Sequence, residues 1–468
     1  MHLRTPYLRT LPLLVVLAVA GCSDDSRPAA TADAGSDARD TGADLDDAMD
    51  AAGEPDAGDA TDPDVSDTAD ATDGSDGDAT DADAADMPDT ADVPEPFSWE
   101  GAAPQTLYVV DGLPLTEARI AEFEPELFVL DTLSQTIFVD SATIGDDLFH
   151  EEDVLIGDAA LGPRVVKGRD MTPDEVWLGQ DIGGLIGQLF FSDRFTFVDY
   201  PGRTVRFLEI PPGDDAPPPP GYDGIAPFEV RHEMPNFFPV AVADFGGVEA
   251  PLLADTSSRM TVITQSIFDA QPVDEPLPQR HGFRFLTNFG EDAGFLTRMP
   301  ELRFGDLVVR NLVVGVIPDD NHVRAVLEPN RVFVEGFLGA GFWRRFAVGI
   351  DGQVLVHGMS EGGTRRFLLW GDGTEPEELA FAWTKVGVEL TRRAGAVTVE
   401  MVYEETTASD AGLLVGDVLV TLEGAPVDAL SLEEIRDALR GESGSPRTLG
   451  IERGEETLTF EVTVDELL

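Results

Sequence analysis

Short apolar runs separated by Gly, Pro and Asp recur from about position 97 to about position 359. Leu107-Tyr108-Val109-Val110, Glu126-Leu127-Phe128-Val129-Leu130 and Thr196-Phe197-Val198-Asp199 are typical. Runs of this length, bounded by turn residues, predict strands rather than helices. The first β-rich block closes near Ile210, because Pro211-Pro212-Gly213 and the four prolines 217–220 cannot continue a sheet and form a stiff connector. A second β-rich block opens at Phe237-Phe238-Pro239-Val240. The last block, from about Leu379 to the end, changes period. It holds one helical segment over 431–439, with Ser431 as N-cap and Glu434 at the capping-box position, and paired strands over 448–452 and 457–462.

The first 96 residues follow another pattern. Two arginines precede an apolar run over 11–20, and about ten apolar residues are too few to span a bilayer as a mature helix, so the run reads as the core of a secretory signal. From 23 to 96 the chain carries 25 acidic and two basic residues and almost no apolar periodicity. That composition predicts a disordered spacer, extended by self-repulsion beyond a floor of about 50 Å. The formal net charge of −58 is therefore unevenly spread, but residues 97–468 still carry roughly −37, which argues against a nucleic-acid partner. Cys22 is the only cysteine, so no disulfide, thiolate metal cage or catalytic thiol is available elsewhere. The histidines form no HExxH pattern, no metal or other cofactor is expected, and Lys167 and Lys385 are the only lysines.

The two β-rich blocks repeat each other. Leu130-Asp131-Thr132-Leu133-Ser134, followed by the strand Thr136-Ile137-Phe138-Val139, matches Ala254-Asp255-Thr256-Ser257-Ser258, followed by Met260-Thr261-Val262-Ile263. Further on, Gly184-Leu185-Ile186-Gly187, Phe190 and Asp199 match Gly336-Phe337-Leu338-Gly339, Phe342 and Asp351 at identical spacing. These motifs resemble the retropepsin-like aspartic proteases, and the likeness covers most of 105–358. The resemblance implies a mainly β fold of two lobes about a pseudo-twofold axis, with Asp131 and Asp255 as a catalytic dyad on the floor of a shared cleft. Thr132 and Thr256 would hydrogen-bond across the axis, and one chain would supply both lobes without a homodimer. Two close carboxylates sharing a proton can deprotonate a water and protonate a carbonyl oxygen, the chemistry such a dyad needs. The departure lies at Leu133 and Ser257, which stand where the family has glycine. Two readings follow, an aspartic endopeptidase and a protease-like scaffold that binds polypeptide without cleaving it. A hairpin over 157–168, and another around 288–294, would serve as flaps.

Two further resemblances complete the expectation. Val19-Ala20-Gly21-Cys22 resembles the lipobox of bacterial lipoproteins, which implies a lipid on Cys22 and tethering to the cell envelope, with Ser23 in place of Asp pointing to the outer membrane. Ala411-Gly412-Leu413-Leu414-Val415-Gly416-Asp417-Val418-Leu419 resembles the core of PDZ domains, small α+β modules that take a peptide C-terminus as an added strand. That likeness implies a carboxylate-holding loop at Val386, Gly387 and Val388, and an apolar pocket lined by Ile435 and Leu439. The expected organisation is a signal over 1–22, an acidic linker over 23–96, one lobe over 97–210, a connector over 211–227, a second lobe over 228–370 and a PDZ-like domain over 378–468.

Overall fold

The computed structural model describes residues 97–468 apart from 146–148, 158, 192–193, 210–211, 213–215, 225, 234–237, 273–274, 288–289, 352–365 and 377–381. The signal, Cys22 and the acidic linker lie outside the described residues. What is described is mainly β with a few short helices, and residues 96–468 form one compact unit. Among the described residues no helix is long and apolar enough to cross a membrane.

The two halves of the repeat build the same local pattern. In the first, strands β1 (Glu126–Leu130), β2 (Ile137–Asp140) and β3 (Gly184–Ile186) lie side by side, with β3 parallel to β1 and antiparallel to β2. In the second, β4 (Glu249–Ala254), β5 (Thr261–Thr264) and β6 (Gly336–Leu338) repeat that arrangement, β6 running parallel to β4 and antiparallel to β5. Gly184 and Gly336 open the inserted strands at φ +152° and +148°. A Cβ there would stand 1.9 Å from the Phe138 carbonyl oxygen or 1.8 Å from that of Val262, so only glycine lets β3 and β6 slide between their neighbours.

A six-stranded sheet joins the halves. Its centre is the antiparallel pairing of Phe195–Asp199 with Ala347–Asp351, one strand from each half, in the register Val198 opposite Val348. Alternating apolar positions on these strands feed a core shared by both halves, in which Val198, Phe342, Trp343, Val348 and Ile350 are wholly buried. Burying each such side chain is worth about 1.5–3 kcal/mol relative to exposure. Trp343 also donates its indole N–H to the carbonyls of Asp255 (2.8 Å) and Leu338 (2.7 Å), tying the core to the loop that follows β4.

The C-terminal domain is a separate small core around Leu390, Leu419, Ile435 and Ile451. Its sheet runs from β7 (Val388–Arg393) at one edge through Ala396–Val402, Val418–Leu422 and Pro446–Arg453 to Glu456–Thr463. A helix over Leu432–Ala438 starts as its cap predicts. Ser431 Oγ accepts from Glu434 N at 3.2 Å, and Ser431 N donates to Glu434 Oε2 at 2.7 Å. Asp417 is buried and holds the turn before the central strand, accepting from Leu414 N at 2.9 Å and from Arg453 Nε and Nη2 at 2.7 Å each.

Candidate functional site

β1 and β4 each run as apolar strands into a carboxylate. Leu130 and Ala254 are fully buried, so the strand ends are fixed and Asp131 and Asp255, at 4% and 6% exposure, are held just beyond them. Reciprocal hydrogen bonds cross between the two loops. Thr132 N donates to Thr256 Oγ1 (3.2 Å) and Thr256 N to Thr132 Oγ1 (3.1 Å), while Thr132 Oγ1 donates to the Ala254 carbonyl and Thr256 Oγ1 to the Leu130 carbonyl, both at 2.6 Å. The reciprocity means that neither loop can move without stranding buried polar groups of the other.

Each carboxylate is also bound by its own loop. Asp131 Oδ1 accepts from Leu133 N (2.8 Å) and Ser134 N (3.1 Å), and its Oδ2 accepts from the Ser134 hydroxyl. Asp255 Oδ1 accepts from Ser257 N (2.8 Å) and Ser257 Oγ (2.7 Å). Leu133 therefore leaves the backbone N–H aimed at the carboxylate, as Ser257 does. Its side chain is half-buried and packs against an apolar cluster that unites Val240, Leu253 and Phe283 of the second lobe with Tyr403 and Leu467 of the C-terminal domain. Burial, and then the charge of Asp131, push the Asp255 carboxyl up from its ordinary value of 3.8 to about 7, against the opposing effect of the Ser257 hydrogen bonds.

The two expected flap segments have different surroundings. Phe149–Ile156 and Ala159–Arg169 form a hairpin with Phe149 and Val165 exposed. The strands Arg280–Thr287 and Gly290–Phe304 form the other hairpin, with Asn288 and Phe289 outside the described residues. That second hairpin is fastened to the C-terminal domain: Glu404 N donates to the His281 carbonyl at 3.0 Å, and Arg280 Nη1 to the Glu404 carbonyl at 3.1 Å.

In the C-terminal domain, Val386, Gly387 and Val388 form the turn that enters β7. Two of its N–H groups are already engaged, Val386 N with the Leu439 carbonyl at 2.9 Å and Val388 N with the Val386 carbonyl at 2.6 Å. Ile435 and Leu439 belong to the domain core, at 0% and 3% exposure.

A cluster that sequence reasoning missed lies where the two halves of the repeat meet the PDZ segment. Asp111, in a turn of the first lobe, pairs with Arg259 of the second and with Arg436 of the C-terminal domain, the latter at 3.4 Å. Lys385 pairs with Glu389, which also accepts from Tyr403 Oη at 2.8 Å. Burial works against the Asp111 charge, but Arg259 and Arg436 outweigh it and hold its carboxyl below the ordinary range. The available signal was the scarcity of lysine, which makes Lys385 conspicuous. No spacing rule, however, links positions 111, 259 and 436.

Comparison with known proteins bears on the C-terminal part. Residues 384–464 match the PDZ domain family. A carboxy-terminal-processing protease of Bartonella bacilliformis (strain ATCC 35685 / KC583 / Herrer 020/F12,63) is 34% identical over 68 residues, 14% of this chain and 16% of that relative. Among solved structures, a photosystem II D1 C-terminal processing protease matches at 30% identity and a TM-score of 0.17, over 18% of this chain and 23% of that one. Basic 7S globulin from soybean matches at 10% identity and a TM-score of 0.36, over 59% of this chain and 95% of that one. The chain thus contains a PDZ domain and spans about a sixth of the curated relative it matches.

These names conflict with the Asp-dyad endopeptidase expected from the repeat. The curated relative is named a carboxy-terminal-processing protease, and on that finding the expected aspartic endopeptidase activity, with the labels aspartic protease and retropepsin-like, is corrected. The physical reason is that an Asp-Thr loop pair serves to lock two β halves together. The motif therefore reports how the loops are held, and chemistry does not follow from it.

Proposed function

We propose that this chain is a polypeptide-binding protein whose PDZ domain takes the carboxy-terminal end of a partner, beside a two-lobed module that holds extended polypeptide. The observation that carries this reading is the edge strand β7 facing the helix Leu432–Ala438 within the matched PDZ segment. An edge strand offers unpaired backbone groups to an incoming strand, and a helix beside it supplies a wall for side chains. The relatives' names support a place in proteolysis. Because the family match is to a PDZ domain over 384–464, substrate capture is the part of that activity it supports.

For the lobes, the repeated β1–β3 and β4–β6 patterns and the reciprocal threonine bonds support a pseudo-twofold arrangement of two β halves as a fold. In this reading the Asp131 and Asp255 carboxyls, fixed by the reciprocal threonine bonds, offer hydrogen-bonding partners to a passing peptide group. Lipid attachment at Cys22, with 23–96 as the spacer, would place the module at the cell envelope, and the apolar run before Cys22 supports it.

Fluorescence anisotropy of the full chain with the labelled peptide Ser-Gly-Thr-Leu-Val-Leu, against the same peptide amidated at its carboxy terminus, tests the PDZ reading. Binding that requires the free carboxylate is the expected result. Equal binding of the amidated peptide would refute it.

A further inference from the structure

The helix Leu432–Ala438 packs beside the edge strand β7, and a segment from the first half of the repeat lies against both. The helix Thr172–Leu178 packs along β7 and ends at Gly179 in a left-handed conformation, φ +73°. Gly179 is so close to the first residue of the C-terminal helix that a Cβ there would stand 2.4 Å from Leu432 Cβ. Between strand and helix, Arg436 donates from Nη2 to the Trp177 carbonyl at 2.9 Å and to the Leu390 carbonyl of β7 at 2.7 Å. One guanidinium thus joins the C-terminal helix, the edge strand and the first-lobe helix. The same Arg436 faces the Asp111 carboxylate, and Arg259 stacks over the Trp177 ring at 4.6 Å.

We propose that the segment 172–179, with Asp111 beside it, is an internal occupant of the PDZ groove, so that a partner's carboxy terminus binds only by displacing it. This inference rests on the peptide-binding reading above and adds its regulation. The Trp177 carbonyl uses Arg436 and the helix covers β7, so an added strand and the segment 172–179 compete for one surface. Competition lowers the apparent affinity of a free peptide by the fraction of molecules in which the groove is open.

The test uses the full chain and the same labelled peptide. Trp177→Ala removes the ring that Arg259 covers, and should raise affinity about tenfold or more over the unsubstituted chain, about 1.4 kcal/mol. Hydrogen exchange on the unsubstituted chain gives a second measurement that does not depend on the variant folding. With saturating peptide, amides of 172–179 should lose protection while those of 388–393 gain it. Equal affinity for both proteins, with exchange at 172–179 unchanged by bound peptide, would overturn the occupancy. Absence of binding by either protein would instead overturn the peptide-binding reading on which it rests.

Discussion

Replacing Asp255 by Asn removes a carboxyl that the fold keeps protonated up to about pH 7. In the folded protein, burial and the Asp131 charge hold the Asp255 proton up to about pH 7, whereas the unfolded chain releases it near 3.8. Between those values the folded state binds more protons than the unfolded state, so stability falls as pH rises through the window and levels off above it. At about 1.4 kcal/mol per pH unit the whole window is worth about 4 kcal/mol, of which about 2 kcal/mol is lost between roughly pH 5.5 and pH 8. The assay is urea unfolding of the unsubstituted chain and Asp255→Asn at both pH values, followed by tryptophan fluorescence. Taking the difference of differences cancels the titration of every group that the substitution leaves alone. The unsubstituted chain should lose about 2 kcal/mol more than Asp255→Asn on going to the higher pH. Parallel losses would mean that the two carboxylates do not share a dry site, and would refute the electrostatic account of the pair.

Thr132→Val strands the Ala254 carbonyl and the Thr256 N–H, and should cost about 2–3 kcal/mol. Because the two threonines form one network, thermal unfolding of Thr132→Val/Thr256→Val should show a loss well short of the sum of the single variants, and simple additivity would contradict the reciprocal bonding. Lipid attachment is checked by labelled palmitate in an expressing bacterium, with incorporation into the full chain expected and lost in Cys22→Ser. Unlabelled full chain would remove the tether.

The β character of both halves, the repeat that relates them, the capped helix over Leu432–Ala438 and the PDZ domain were all legible along the chain. Each is set by local means: alternation along a strand, a serine three residues ahead of a glutamate, and glycines where backbone passes against backbone. Asp131 and Asp255 were singled out by the same logic, since an apolar strand that runs into a carboxylate twice in one chain is visible without coordinates.

What those carboxylates are for was not legible, because the loop that fastens two lobes has the same residues whatever reaction the site supports. Tertiary structure alone decided that Leu133 turns into a cluster shared with Tyr403 and Leu467 while its N–H stays on Asp131. It alone brought Asp111, Arg259 and Arg436 together from the two halves of the repeat and the PDZ segment, and laid the segment 172–179 along β7. Contacts between residues more than a hundred positions apart leave no period in a sequence. They arise from the shapes of whole domains packed against one another, and only the assembled fold contains that information.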